Sequence, residues 1–116
     1  MNAMIVASLT VNIVVLIPVA GSLSADAAWV IDAYGPRTQG RGILLSVYTA
    51  ILLASIALLF IGDPRMVASL LAVQVVYKVT TPFTVGTLAN PVVISNLVIA
   101  GLHAATLSFI GARYIG

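Results

Sequence analysis

What constrains this chain most is the spacing of its charges. Asp26, Asp32, Arg37, Arg41, Asp63, Arg65, Lys78 and Arg113 are its only formally charged residues, and the stretches between them are uncharged and long. Crossing a bilayer as a helix takes about 20 predominantly apolar residues at about 1.5 Å rise each. A soluble domain carries about 25% charged residues; here 7% are charged and 61% hydrophobic. The chain therefore lacks the polar surface needed to face water. It reads as all-α, an integral membrane four-helix bundle in which residues 1–116 form a single transmembrane domain.

The first apolar stretch predicts a span over residues 3–20. It has no basic n-region, and Pro18 beside Ala20-Gly21 makes a poor cleavage site, so retention as a helix is expected rather than removal as a signal peptide. Residues 21–36 hold Trp29, Tyr34 and several turn formers, and read as an interfacial loop with a short helix lying at headgroup depth. Tyr34-Gly35-Pro36 marks a turn, after which a second span is expected over 37–61. Gly62-Asp63-Pro64-Arg65 supplies a helix stop, a cap and a proline suited to a first turn, so the second span and a third over 65–83 form an antiparallel hairpin. Asn90-Pro91 caps a fourth span over 92–112. Four crossings place both termini on one side. Orientation is nearly balanced, with Arg65 and Arg113 on the termini side and Arg37 and Arg41 on the other; Lys78 tilts the count slightly toward the latter being cytoplasmic.

Lys78 is the one charge at bilayer depth, where it costs about 2.5–3.5 kcal/mol and calls for a partner, water or a route to the interface. On a helical wheel Gln74, Tyr77, Lys78 and Thr81 share a face about 100° wide. Asn96 and His103, seven residues apart, fall within about 20° of each other on the fourth span. Counting from the third loop, Lys78 matches Asn96 in depth and Gln74 matches His103. Gln74, Tyr77, Lys78, Asn96 and His103 therefore form a candidate ligand-binding cluster between the third and fourth spans. The plainer reading is an inward face whose groups hydrogen-bond one another. Lys78 is expected to stay charged, to reach toward the loop side, and to be satisfied by Asn96, Tyr77, Asp26 or Asp32.

Arg37 and Arg41, one turn apart at a helix entrance, suit lipid headgroups, and share a face with Tyr48 and Ser55. Ser8 and Asn12, at i and i+4, read as interhelical hydrogen-bonding groups. Gly101, Ala105 and Ser108 form a small-residue stripe expected to pack against another helix.

Much chemistry is excluded. Cysteine is absent and histidine occurs once, so disulfides, thiolate catalysis and a multi-ligand metal centre within one chain fall away. With no glutamate and every aspartate in a loop, no nucleophile, base and acid assemble. Five basic residues make no nucleic-acid surface. No enzymatic activity and no cofactor are expected; His103 as lone axial ligand to a pigment or haem ranks below His103 as a hydrogen-bonding group at a helix interface.

Pro18 near the end of the first span, the Tyr34-Gly35-Pro36 turn, the Arg41-Gly42-Ile43 entry and the Asp63-Pro64 hairpin together resemble the DoxX-like small four-helix bacterial membrane proteins. The likeness covers most of the chain in layout through short motifs. It implies a four-helix bundle, a bacterial inner (cytoplasmic) membrane, and for some members an association with quinone-linked respiratory systems; it carries over no catalytic residue. The function expected first is that of a non-catalytic accessory or structural subunit, with membrane lipids and other membrane protein subunits as partners. The alternative is a binder or carrier of a small lipophilic molecule, a quinone, lipid or pigment, held by the polar cluster. Proton or ion translocation ranks last for want of an intramembrane carboxylate.

Overall fold

The computed structural model describes residues 2–115. Those residues form five α-helices, α1 (Ala3–Ala25), α2 (Ala28–Tyr34), α3 (Gln39–Ile61), α4 (Pro64–Val85) and α5 (Pro91–Ile110), closed by a π-helical turn at Gly111–Ile115. No strand occurs among them. Four of the helices are long and apolar enough to cross a membrane, and α2 is the short helix expected in the first loop.

Local chemistry sets the helix ends. Asn2, Thr38, Asp63 and Asn90 each accept a hydrogen bond from a first-turn backbone N–H of α1, α3, α4 and α5, a contact that contributes about 1 kcal/mol per helix. Pro64 and Pro91 occupy first-turn positions, where a missing N–H costs nothing. Gly62 (φ 72°) and Gly86 (φ 86°) end α3 and α4 in the left-handed region. Asp26 ends α1 in the same region (φ 54°), the one non-glycine among the described residues to do so.

Several boundaries differ from the sequence reading. α1 runs five residues past position 20, through Pro18, because Leu23 continues its buried seam and Ser24 Oγ bonds back to the Ala20 carbonyl at 2.9 Å. α3 starts at Gln39 rather than 37, since Thr38 is the cap and its side chain accepts from the Arg41 N–H. α4 begins one residue earlier than 65 and passes Pro82 to Val85.

Each long helix buries a seam with three- and four-residue spacing: Ile5, Leu9, Asn12, Leu16 and Leu23 on α1; Tyr48, Ile51, Ser55 and Leu58 on α3; Leu71, Gln74 and Lys78 on α4; Val93, Asn96, Ala100 and His103 on α5. Outer faces are apolar, with Phe60, Phe83 and Val98 strongly exposed, while Asn12, Gln74 and His103 are inside. That inversion suits lipid, where helices associate through packing and hydrogen bonds rather than through exclusion of water.

α1 packs closely on α3 and α4 on α5; the two pairs join along α1–α5 and α3–α4, giving the ring order α1, α3, α4, α5. The α3–α4 hairpin is thus antiparallel as expected, yet its two helices touch each other less than either touches its main partner. Arg65 Nη2 donates to the Tyr114 carbonyl at 3.2 Å and Ser8 bonds Thr106 at 2.7 Å, so the α3–α4 turn and both chain ends share one side. At the other end Asn90 Nδ2 donates to the Ala33 carbonyl at 2.7 Å, joining the first and third loops. The longest dimension is 43 Å, the thickness of a bilayer with its headgroups, about 40–45 Å.

The small-residue stripe expected to meet a helix meets none within this chain. Gly101, Ala105 and Ser108 face outward, and a Cβ added at Gly101 would meet nothing within 4 Å. α5 turns Val93, Asn96, Ala100, His103 and Thr106 inward instead, and of these His103 and Thr106 bond to α1 through Asn12 and Ser8.

Candidate functional site

Between an apolar core at the termini end (Ile5, Leu9, Leu58, Val67, Leu71, Ile110) and another at the loop end (Leu16, Leu23, Val30, Tyr48, Ile51) lies a polar layer. Its hub is Asn12. The Asn12 amide and the Gln74 amide form a reciprocal pair, Asn12 Nδ2 donating to Gln74 Oε1 at 2.7 Å and Gln74 Nε2 to Asn12 Oδ1 at 3.0 Å. Asn12 Nδ2 also donates to Ser55 Oγ at 3.1 Å, and Ser55 Oγ donates to the Ile51 carbonyl at 2.7 Å. His103 Nε2 lies 2.9 Å from Asn12 Oδ1. One side chain on α1 thus ties α3, α4 and α5 together. The expected Gln74–His103 layer exists, but Asn12 mediates it from α1; the i, i+4 relation to Ser8 was its only signal in the sequence.

This layer is closed. Among the described residues its only fully buried polar atom without a partner is His103 Nδ1. His103 is fully buried in this layer and does not line the cavity described next.

The second layer, nearer the loops, is open. A cavity of about 230 Å³ is walled by Val15, Leu16 and Val19 of α1, Trp29 and Tyr34 of α2, Tyr48 of α3, Tyr77 and Lys78 of α4, and Pro91, Val92, Ser95 and Asn96 of α5. A smaller space of about 140 Å³ adjoins it beneath α2, sharing Tyr34, Tyr48, Tyr77, Val92 and Asn96. The exposed Pro91 and Ser95 and the half-exposed Val15 and Val19 form a rim between α1 and α5. That rim faces where lipid would lie.

Lys78 and Asn96 stand in this cavity at 5% and 7% exposure, and neither side chain makes a hydrogen bond among the described residues. Lys78 Nζ sits 5.2 Å from the centroid of the Tyr77 ring, a cation–π contact contributing about 0.5–2 kcal/mol. Of the partners expected for Lys78, then, Tyr77 is present through its ring face, whereas Asn96, Asp26 and Asp32 are not bonded to it. Asp26 is engaged elsewhere and Asp32 is exposed on α2. Thr81, expected on the same face, spends its hydroxyl on the Tyr77 carbonyl at 2.6 Å.

α2 covers this end of the bundle and is held at both ends. Arg41, buried on α3, forms an ion pair with Asp26 and donates from Nη1 to the Gly35 carbonyl at 2.9 Å; Asn90 holds Ala33 at the other side. The Arg41 guanidinium holds the Asp26 carboxyl below the ordinary carboxylate range, chiefly through their hydrogen bond. Arg41 is therefore an internal clasp and not the headgroup anchor expected of it, since a left-handed Asp26 brings a carboxylate against it. Arg37 is exposed, with Nη2 donating to the Ser24 carbonyl at 3.2 Å. Within the cover, Trp29, Tyr34 and Tyr48 stack edge to face in sequence, with centroids 6.1 Å apart at each step. The Tyr34 and Tyr48 hydroxyls lie 3.3 Å apart, and burial pushes the Tyr34 phenol above its ordinary pKa.

Sequence reasoning grouped Gln74, Tyr77, Lys78, Asn96 and His103 as one cluster between the third and fourth spans; the structure divides it, with Tyr77, Lys78 and Asn96 lining the cavity and Gln74 and His103 bonded to Asn12 in the closed layer. Trp29, Tyr34 and Ser95 join the cavity walls without having been singled out for it. Their positions depend on how α2 folds back, which no periodicity encodes. Searches of family models, curated proteins and solved structures yield no significant match to this chain.

Proposed function

We propose that this is a non-catalytic membrane protein that binds or carries a small lipophilic molecule with a hydrogen-bond-accepting head, entering from the lipid between α1 and α5. One observation carries the reading: Lys78 and Asn96 are more than nine-tenths buried, lack hydrogen-bond partners among the described residues, and line a cavity walled, apart from Ser95 at its rim, by aromatic and aliphatic side chains. Buried polar groups are normally satisfied, and a few convergent polar groups in an apolar cavity are the common form of a small-molecule site. A quinone, a lipid or a pigment fragment belongs to this class.

Purification in mild detergent followed by solvent extraction and mass spectrometry tests the reading. A lipophilic species in near-stoichiometric amount, lost from Lys78→Met, supports it. An empty protein that comigrates with other subunits defeats it in favour of the accessory-subunit reading, which draws on the outward stripe of Gly101, Ala105 and Ser108. The bacterial cytoplasmic membrane, taken from the DoxX-like resemblance, belongs to the same proposal.

A further inference from the structure

The charges around the cavity narrow the occupant. Among the described residues the one ion pair is Arg41–Asp26. Arg37 and Arg65 bond backbone carbonyls near the surface. Lys78 alone is buried without an anion. None of the aspartates supplies one: Asp26 is held by Arg41, Asp32 is exposed on α2, and Asp63 caps α4 at the opposite end of the bundle. A buried ammonium without a counter-charge is costly, and the Tyr77 ring offsets only part of that cost.

Resting on the lipophile-binding reading, we infer that the cavity takes the carboxylate head of a single-chain anionic amphiphile, its charge met by Lys78 and its second oxygen by the Asn96 amide, with the alkyl chain leaving between α1 and α5. The donor set fits one carboxylate: a point charge and one amide NH2 group, with the Ser95 hydroxyl at the rim and no guanidinium fork of the kind phosphate groups favour. Size argues the same way. An apolar cavity of about 150 Å³ holds a benzene ring, so about 230 Å³ seats a carboxylate and the first methylenes but not a phospholipid headgroup with its glycerol. Val15, Val19, Pro91 and Val92 line the way out and would cover the chain. A neutral head, such as a quinone carbonyl or an alcohol, leaves the ammonium uncompensated.

Trp29 is the only tryptophan and lies in the cavity wall, and because it is also 42% exposed the displaceable part of its quenching reports occupancy. The full chain in phosphatidylcholine vesicles at neutral pH is titrated with chain-brominated decanoate and with the matching brominated decanol, bromine quenching the indole. The expected result is saturable quenching by the acid, reversed by unbrominated decanoate, with the alcohol weaker by about tenfold. Lys78→Met is expected to reduce the acid to the level of the alcohol, and Asn96→Leu to weaken it severalfold. Equal, saturable quenching by acid and alcohol that survives Lys78→Met overturns the carboxylate inference and leaves lipophile binding standing. Absence of displaceable quenching by both overturns the two together. Tighter quenching by brominated phosphatidylserine, competing with decanoate, overturns the single-chain assignment. The acid-against-alcohol comparison uses the unaltered protein and so stands whatever the variants do.

Discussion

Asn12 Oδ1 stands 2.9 Å from His103 Nε2, and that contact determines where the imidazole carries its proton. Both protons of the Asn12 amide are committed, to Gln74 Oε1 and Ser55 Oγ, so its oxygen accepts. Nε2 therefore bears the hydrogen, and the bare Nδ1 is the atom left without a partner. Removing the hub strands groups on three other helices at once. Interhelical side-chain hydrogen bonds in membranes contribute about 0.6 kcal/mol on average and up to about 1.7. Asn12→Leu is accordingly expected to lower stability by about 2 kcal/mol, and Ser8→Ala, which loses the Thr106 contact, by about 0.6. Reversible unfolding in mixed micelles measures both, and a wild-type midpoint for Asn12→Leu would remove the hub argument.

Lys78 predicts the opposite sign. Its ammonium makes no hydrogen bond to the described residues and is met by the face of the Tyr77 ring, so Lys78→Met removes a desolvated charge and loses little. The variant is expected to be more stable than wild type by about 1 kcal/mol, the behaviour of a residue kept for binding at the expense of stability. The same unfolding assay decides it; a destabilised Lys78→Met would mean that the amine has a structural role.

The Asp26–Arg41 clasp ties the cover helix to pH. Because Arg41 lowers the Asp26 pKa from its ordinary 3.8, the clasp's contribution is complete above that value and is lost as pH falls through the lower folded-state value. Hydrogen-exchange protection over residues 26–38, taken relative to the intrinsic amide rate at each pH, should be unchanged by acidification from neutral to about pH 4 and should fall below it. Asp26→Asn should show fast exchange at every pH, since Arg41 then lies buried beside a neutral group. Asp26→Gly separates backbone from charge: it accepts the left-handed conformation freely, so protection in that variant equal to wild type would show that the ion pair contributes nothing.

The outward stripe on α5 makes a prediction about assembly. Since nothing lies within 4 Å of a Cβ at Gly101, Gly101→Leu should leave the stability of the isolated chain within about 0.5 kcal/mol of wild type. If native assemblies exist, the same change should dissociate them, because a small-residue face serves by letting a backbone approach. Unfolding of the monomer alongside native mass spectrometry of membrane extracts reads both, and a collapse of the isolated chain would place this face inside the fold.

Charge spacing determined the number of spans, their approximate ends and the shared side of the termini, because a charge in hydrocarbon is costly enough to forbid most alternatives. Caps were equally legible: Asn90-Pro91 and Asp63-Pro64 announce helix starts through chemistry confined to one turn. Helical period also grouped Gln74 with Lys78 and Asn96 with His103. What it could not supply is the face of the neighbouring helix that each group meets. Asn12 reaches three helices only because α1 lies across the ring from α4 and beside α3 and α5, and Arg41 turns inward only because α1 overruns Pro18 and presents Asp26 in a left-handed turn. Gly101 and Ala100 look alike in a sequence whose exterior is as apolar as its interior; lipid gives no reason for a small residue to prefer one side. Tertiary structure made that choice, through hydrogen bonds that join particular helices, and in doing so left Lys78 and Asn96 facing a cavity.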